Sequence, residues 1–357
     1  MSADAVRAAF RQQAGVCRSL ESPFTAKICE LIAERLTDQG AVGRRVLDWP
    51  GDPRANADAL PLRLCGALHA LARDGAARAV TAAWPPNKTP DDDAVWAAIR
   101  AGLEQAPEFI LDWLNSPPQT NEVGRSAPLM AGLLVLAERF GLPFDLYELG
   151  SSAGLNLNLG RYGFDLDGVR AGKIASTVQL APRWSGSSPP KGVVQIDERR
   201  GVDLNPLDPT DPQTQRRLTA YVWADQRERL ARLEAALQIA RADPPPLTAA
   251  DGADWLERVL ALAPKPGVCR VVMHTIALQY FPPQGQARVR AHLEAVGAAA
   301  AWNAPLAWLA FEAASAPDSE GRRWAELSLT VWPGGETRRL ARGHPHGFAL
   351  EWFDAGG

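Results

Sequence analysis

Residues 1–140 carry apolar side chains at a helical period. In ESPFTAKICELIAERL, Phe24, Ile28, Leu31 and Ile32 recur at three- and four-residue spacing. Ser22 stands at a capping position and Pro23 at the first helical one. ADALPLRLCGALHALARDG and DDAVWAAIRAGLEQAPEFILDWLN repeat the period, the first ending at Gly75. SAPLMAGLLVLAERFG is apolar nearly all round, which predicts a largely buried helix capped by Ser126 and stopped by Gly141 and Pro143. His69 lies inside an apolar helical stripe and reads as a packed core histidine.

From Asp145 the pattern alternates. DLYEL predicts a strand, with a helix over 153–162. Short strands are expected in GKIASTVQLAPRW, a flexible link in SGSSPPKG and a strand in VVQIDERRGVDLNP. Residues 211–242 form a long helical pattern that breaks near Trp223. PPPLTAADGADWLERVLALAP reads as a short strand, an acidic turn and a helix. GVCRVVMHTIALQYF is the clearest buried strand, and PQGQARVRAHLEAVGAAAA is a helix. PLAWLAFEAA, AELSLTVWP and HGFALEW are three further strands, the last two flanking a PGGE turn suited to an antiparallel hairpin. Strands alternating with helices predict a parallel sheet with ligands at its carboxyl edge. The expected fold is α/β: a doubly wound, mostly parallel Rossmann-like sheet with a C-terminal antiparallel hairpin. An all-helical N-terminal domain over 1–140 precedes the sheet domain at 141–357.

Composition narrows the possible functions. With 357 residues, 46% of them hydrophobic, the chain can bury a large core without disulfides or metal. A net charge of −3 provides no global basic field, so nucleic acid is not an expected partner. No apolar run is long enough for a membrane span and the N-terminus lacks a signal-peptide core, so a cytoplasmic location is expected. Cys17, Cys29, Cys65 and Cys269 are far apart and form no C-x-x-C, which predicts buried thiols and no metal site.

The stretch ELGSSAGLNLN supports two chemistries. Read as G-x-S-x-G, it is a nucleophile elbow with Ser152 as the nucleophile. His344 or His346 is then the base, and Glu312 or Asp318 the orienting acid. Against this stand a helical first third, the lack of an HGG segment and Glu148 in a buried strand. Read as E-x-G-x-x-x-G, it is a loop around a nucleotide-like cofactor. Glu148 then meets a cationic amino-acid group, and small residues at Gly150, Ser152 and Gly154 admit close approach. Asp203 in GVDLNP can grip ribose hydroxyls, and Asp251 in AADG can accept an adenine amino proton. Asp203 also fits a turn, and Asp251 a turn beside a helix start. Asn156 adds a polar side chain beside the loop.

Residues 145–357 resemble class I S-adenosylmethionine-dependent methyltransferases: E-x-G-x-x-x-G, G-V-D-L-N-P, A-D-G, a buried fourth strand and a closing hairpin follow in order. The whole chain resembles an uncharacterised bacterial family, domain of unknown function 2332. PPQTNEVGRSA, ELGSSAGLNLN, RRGVDLNPLD, VWADQRERL and MHTIALQYF carry that likeness. The methyltransferase likeness implies S-adenosylmethionine as cofactor and a small molecule as methyl acceptor. Ser152 departs from it by replacing a central glycine, as does the insertion between Tyr162 and Val202. His274 is the candidate general base, since imidazole titrates near working pH, with Tyr280 and Glu122 as second choices. Asn121, Arg125 and Gln279 are candidate substrate-binding residues. A binding protein without turnover is the alternative, and a serine hydrolase a third class. Oligomeric state and acceptor identity are not legible.

Overall fold

The computed structural model describes residues 2–260, 264–314, 316, 318 and 324–353. The end of the expected helix after Asp251, at 261–263, lies outside the described residues.

Two compact units are formed. One comprises Met1–Thr120 with Pro212–Ala231, the other Asn121–Asp211 with Arg232–Gly357. The division expected at residue 140 thus falls at 120/121. The helix Ser126–Phe140 goes with the sheet, because Gly132 lets it settle on Leu309; a Cβ there would lie 2.5 Å from Leu309 Cδ1.

The first unit is helical. Pro23–Arg35, Leu60–Arg73 and Asp92–Gln105 bury Ile28, Ile32, Leu64, Leu68 and Ile99 in one core. The helical pattern at 211–242 does break around Trp223, into Pro212–Tyr221 and Arg227–Ala242. Tyr221 packs on Gly66, where a Cβ would lie 2.6 Å from its ring. Ser22 occupies the cap position of Pro23–Arg35 but makes no side-chain capping bond. Asp225 supplies it, accepting from the backbone N–H of Phe24 at 2.8 Å and from the Ser22 hydroxyl. His69 is buried beside the Ala220 carbonyl, and burial lowers its pKa to about 4. Cys17, Cys29, Cys65 and Cys269 are free thiols, all buried.

Among the described residues of the second unit there are twelve strands. They are β1 Phe144–Leu149, β2 Gly163–Leu166, β3 Val169–Gly172, β4 Gln179–Leu180, β5 Arg183–Gly186, β6 Ile196–Asp203, β7 Leu247–Ala249, β8 Cys269–Thr275, β9 Leu306–Ala313, β10 Ala325–Trp332, β11 Glu336–Gly343 and β12 Ala349–Trp352. Nine make one sheet, ordered β5-β12-β11-β10-β9-β8-β1-β6-β7. From β7 to β9 all neighbours are parallel; β9 to β12 run antiparallel. Every residue of β1 and β8 is buried, as central parallel strands require. The parallel core has the strand order third, second, first, fourth, fifth. Its topological switch point therefore lies between β1 and β8.

The hairpin after PGGE pairs β10 with β11, a strand the hydrophobic pattern does not announce; HGFALEW supplies β12 beyond it. Side chains on strands alternate between faces. Tyr147, Leu149, Val202, Val272 and Leu306 share one face with Trp255, Leu256 and Leu293 of the helices Gly252–Val259 and Pro283–Ala298. Leu309, three residues after Leu306, points the other way, to Ser126–Phe140. The sheet is thus wound on both faces. No helix among the described residues is long and apolar enough to cross a membrane.

Candidate functional site at the carboxyl edge

β1 delivers Glu148 and then the loop Gly150–Gly154. Left-handed backbone at Gly150 (φ 66°), Ser152 (φ 53°) and Gly154 (φ 68°) folds this loop tightly. Two of these positions serve packing. A Cβ on Gly150 would lie 2.6 Å from Ala277 Cβ, and one on Gly154 2.6 Å from Pro245. The loop is followed by a 3-10 helix, Leu155–Arg161, rather than the expected α-helix.

Three loop amides, and the amide that follows the loop, are bonded within the protein. Ser151 N–H donates to the Val202 carbonyl (3.0 Å) and Gly154 N–H to the Ser151 carbonyl (2.7 Å). Leu155 N–H donates to Asn121 Oδ1 (2.8 Å) and Ser152 N–H to Asp203 Oδ2 (2.9 Å). Asp203 Oδ1 takes the Asn205 N–H at 2.9 Å. Asp203 thus ties the end of β6 to the loop, and each of its oxygens keeps a second acceptor direction. Asp251 is exposed and caps Gly252–Val259, its Oδ1 accepting from Ala253 N–H (2.9 Å) and Asp254 N–H (3.0 Å). Both turn-forming readings are therefore realised, at the carboxyl ends of β6 and β7.

Glu148 is only 2% exposed. Burial is the largest influence on its carboxyl and raises its pKa to about 8; the Asn156 side chain bonds to it, Asp203 repels its charge and Arg125 attracts it. Asn156 is itself held by Ser126, whose hydroxyl donates to Asn156 Oδ1 at 2.8 Å. Ser126 therefore does not cap its own helix, as the sequence pattern predicts, but reaches across to the site. Glu148 Oε2 is buried without a hydrogen-bond partner, as are Ser151 Oγ, Ser152 Oγ and Asn158 Nδ2. Four such atoms within eleven residues are unusual, because buried polar groups are nearly always paired.

The segment Asn121–Arg125 adjoins this cluster. Asn121 bonds Leu155 as above. Glu122 accepts from Gly124 N–H at 3.0 Å and lies 3.9 Å from Arg232 Nη1. Arg125 donates to the Thr275 carbonyl (3.1 Å) at the end of β8 and to the Pro345 carbonyl (2.9 Å). Its fork thus joins two backbone segments.

His274 belongs to the opposite face. Glu148 pairs in register with Met273, so the next side chain on β8 points away from it. His274 Nε2 accepts from Trp308 Nε1 at 2.8 Å, and Nδ1 lies 2.6 Å from Glu312 Oε1. An accepting Nε2 places the proton on Nδ1, so the ring is neutral and both nitrogens are engaged. A base role at this ring would require the Trp308 bond to break. Glu312 also receives the N–H groups of Ala277 (2.9 Å), Leu278 (3.2 Å) and Gln279 (3.4 Å). Burial opposes its ionisation, but the bonds from His274 and these amides outweigh that and lower its pKa. The turn so held contains Ile276 at φ 48°, rare for a β-branched residue. Gln279 and Tyr280 follow on the surface, Tyr280 being 67% exposed.

The sheet therefore brings together Glu148, Gly150, Ser152, Gly154, Asn156, Asp203, Asn121 and Arg125, with Glu122 adjoining. It separates His274 from them. Sequence reasoning missed Ser126, read there as a cap, and the holding role of Glu312. A serine at the start of a nearly all-apolar helix and a glutamate late in an apolar strand were the available signals. Of the acids offered for the elbow reading, Glu312 is bound instead to His274, whose Nε2 is turned to Trp308. Among the described residues no group of three or more His, Cys, Asp or Glu is placed to hold a metal ion.

Comparison with curated proteins finds no match. The family described as an uncharacterized protein conserved in bacteria, DUF2332, matches residues 7–352, and the chain belongs to that family.

Proposed function

We propose that the carboxyl edge binds S-adenosylmethionine and that the protein transfers its methyl group to a small molecule. The observation that carries this reading is Glu148: a buried carboxyl at the switch point, with Oε2 unpartnered. The acids at the ends of β6 and β7 support it. The amides of Ser151, Ser152, Gly154 and Leu155 are already bonded within the protein, which disfavours a pyrophosphate ligand, since phosphates are held by such amides. A ligand with a cationic amino-acid group and ribose hydroxyls fits these acids better. When bound, the cofactor supplies an electrophilic methyl on a sulfonium. Glu148 and Asp203 would orient it, and alignment provides most of the acceleration. Asp251, Asn156, Asn121 and Arg125 complete the surroundings, with Gln279, Tyr280 and Glu122 as acceptor contacts. The acceptor is a small molecule rather than nucleic acid or membrane, and the setting the cytoplasm.

The second reading is a binding protein without turnover. It is favoured by the engagement of both His274 nitrogens, which removes the clearest general base.

Calorimetry and thermal unfolding with S-adenosylmethionine and S-adenosylhomocysteine test the first reading. Ligand at a hundredfold excess over Kd adds about 2.7 kcal/mol of stability. No heat and no thermal shift at millimolar ligand would remove the cofactor. Binding without methyl transfer to any small-molecule acceptor would leave the second reading.

A further inference from the structure

We infer that Glu148 captures its ligand by exchanging a proton for a cation, so that ligand entry is coupled to proton release. This rests on the cofactor reading above and adds to it the control of the same site by pH.

The argument starts from what surrounds the carboxyl. Glu148 lies at the end of the central strand β1 and is 2% exposed. From the 3-10 helix, Asn156 bonds to it and is neutral. From β6, Asp203 faces it with a like charge. Tyr162 is close enough to feel its charge and is buried, its phenol raised by burial and kept neutral while donating to the Leu155 carbonyl at 2.6 Å. Among the described residues, Arg125 is the cation whose charge Glu148 feels. It donates to the Thr275 and Pro345 carbonyls, while Glu148 Oε2 has no hydrogen-bond partner. A buried carboxylate without a bonded cation is costly, so the group takes up a proton instead. The rise to about 8 agrees with that geometry.

Near neutral pH the empty site therefore holds a carboxylic acid. A ligand ammonium that reaches Oε2 pairs only with the carboxylate. The balance is one proton lost from Glu148 to the buffer and one cation gained by the site. No bond other than O–H is broken. A neutral nucleoside offers nothing to stabilise the anion and leaves the proton in place.

The test is calorimetry on the intact chain at pH 6, in buffers of different ionisation enthalpy. The probes are S-adenosylmethionine, S-adenosylhomocysteine and 5′-methylthioadenosine, which lacks the amino-acid group. At pH 6 an α-ammonium is fully charged. The expected result is release of about one proton with each of the first two probes and none with the third. Affinity for the first two should rise about tenfold per pH unit from pH 5.5 to 7. Glu148→Gln should bind with no proton release and a flat profile; the wild-type measurements decide the matter if that variant does not fold. Binding with buffer-independent heats and a flat affinity profile would overturn proton exchange and leave the cofactor reading standing. Proton release with 5′-methylthioadenosine would overturn it too, because the ammonium would not be its cause. Failure of all three probes to bind would remove the cofactor reading and the proton exchange with it.

Discussion

Glu312 Oε1 lies 2.6 Å from His274 Nδ1, and the same carboxylate receives three successive backbone N–H groups from the turn that follows β8. Successive amides facing one anion make a concave nest. Here the protein fills that nest with its own side chain, which holds Ile276 in its left-handed conformation at the switch point. The turn that presents Gln279 and Tyr280 thus depends on a charge placed 33 residues beyond Gln279 in the chain.

Glu312→Gln should therefore lower stability by about 2 kcal/mol, the scale of charge-assisted bonds lost from a buried acceptor. The pH dependence has a definite sign. The Glu312 pKa is lowered in the folded protein. Its contribution is then complete above the ordinary glutamate value of about 4.3 and disappears as pH falls through the folded value. Urea unfolding of parent and variant should show a constant gap between pH 5 and 7 that closes below about pH 4. A gap that persists at lower pH would mean that the carboxylate charge is not its source.

Glu148 carries the opposite sign. The folded protein retains a proton up to about pH 8 that an unfolded chain releases near pH 4.3. Its stabilising influence is complete below that lower value and is lost as pH rises to about 8. Glu148→Gln should remove this slope. In the absence of ligand the variant should be more stable than the parent at pH 8, on the order of 3 kcal/mol. Such a gain on changing a buried residue is the mark of a group kept for function. Denaturant titrations from pH 5 to 9 check it, and a variant less stable than the parent at pH 8 would contradict it.

How much of this was legible depends on how local each cause is. β8 declares itself by the continuous apolar run Val271–Met273 at its centre, as expected of a central parallel strand buried on both faces. β11 does not, because ETRRLARG is half charged. Glu148 is legible as a polar residue ending an apolar strand. His274 looks the same by that criterion, yet it faces the other way. Only the register of β1 with β8 reveals that Glu148 aligns with Met273. The two expected caps fail for a related reason. Ser22 and Ser126 have the right local positions, but Asp225 and Asn156 offer better partners from distant segments. Local pattern found the elements, and long-range pairing decided which side chains meet.

Ser152 should not behave as a nucleophile. Its hydroxyl is buried and unpartnered, and Glu312, one of the acids an elbow would use, is committed to His274. Fluorophosphonate should leave the intact protein unlabelled. Ser152→Ala removes an unpaired buried hydroxyl and keeps the backbone N–H that bonds Asp203, so its stability should stay within about 0.5 kcal/mol of the parent or rise. Stoichiometric labelling that vanishes in Ser152→Ala would restore the elbow.

Arg125 should matter to the fold as well as to the site. The sequence alone makes it a candidate substrate-binding residue. The structure gives it a bridging task instead. Nε donates to the Pro345 carbonyl and Nη1 to the Thr275 carbonyl, so one planar fork ties the start of Ser126–Phe140 to the end of β8 and to the segment before β12. Backbone packing there is already tight: a Cβ on Gly124 would lie 2.2 Å from the His346 carbonyl oxygen, and one on Gly347 2.2 Å from the Gly124 carbonyl oxygen. No shift of these segments can replace the guanidinium without opening that contact. Arg125→Ala should therefore cost about 2–3 kcal/mol, the range for charged donors removed from partly buried acceptors. Arg125→Lys should recover less than half of it, because an ammonium is a point donor that cannot reproduce a fork with fixed spacing. Arg125→Ala also removes a cation that faces Glu148, so the Glu148 pKa should rise further and ligand binding at pH 7 should weaken in that variant more than in Arg125→Lys. Melting curves and calorimetry on the pair separate the two effects. If both variants melt with the parent and only binding falls, Arg125 is a recognition residue after all and the bridge is not what holds these segments.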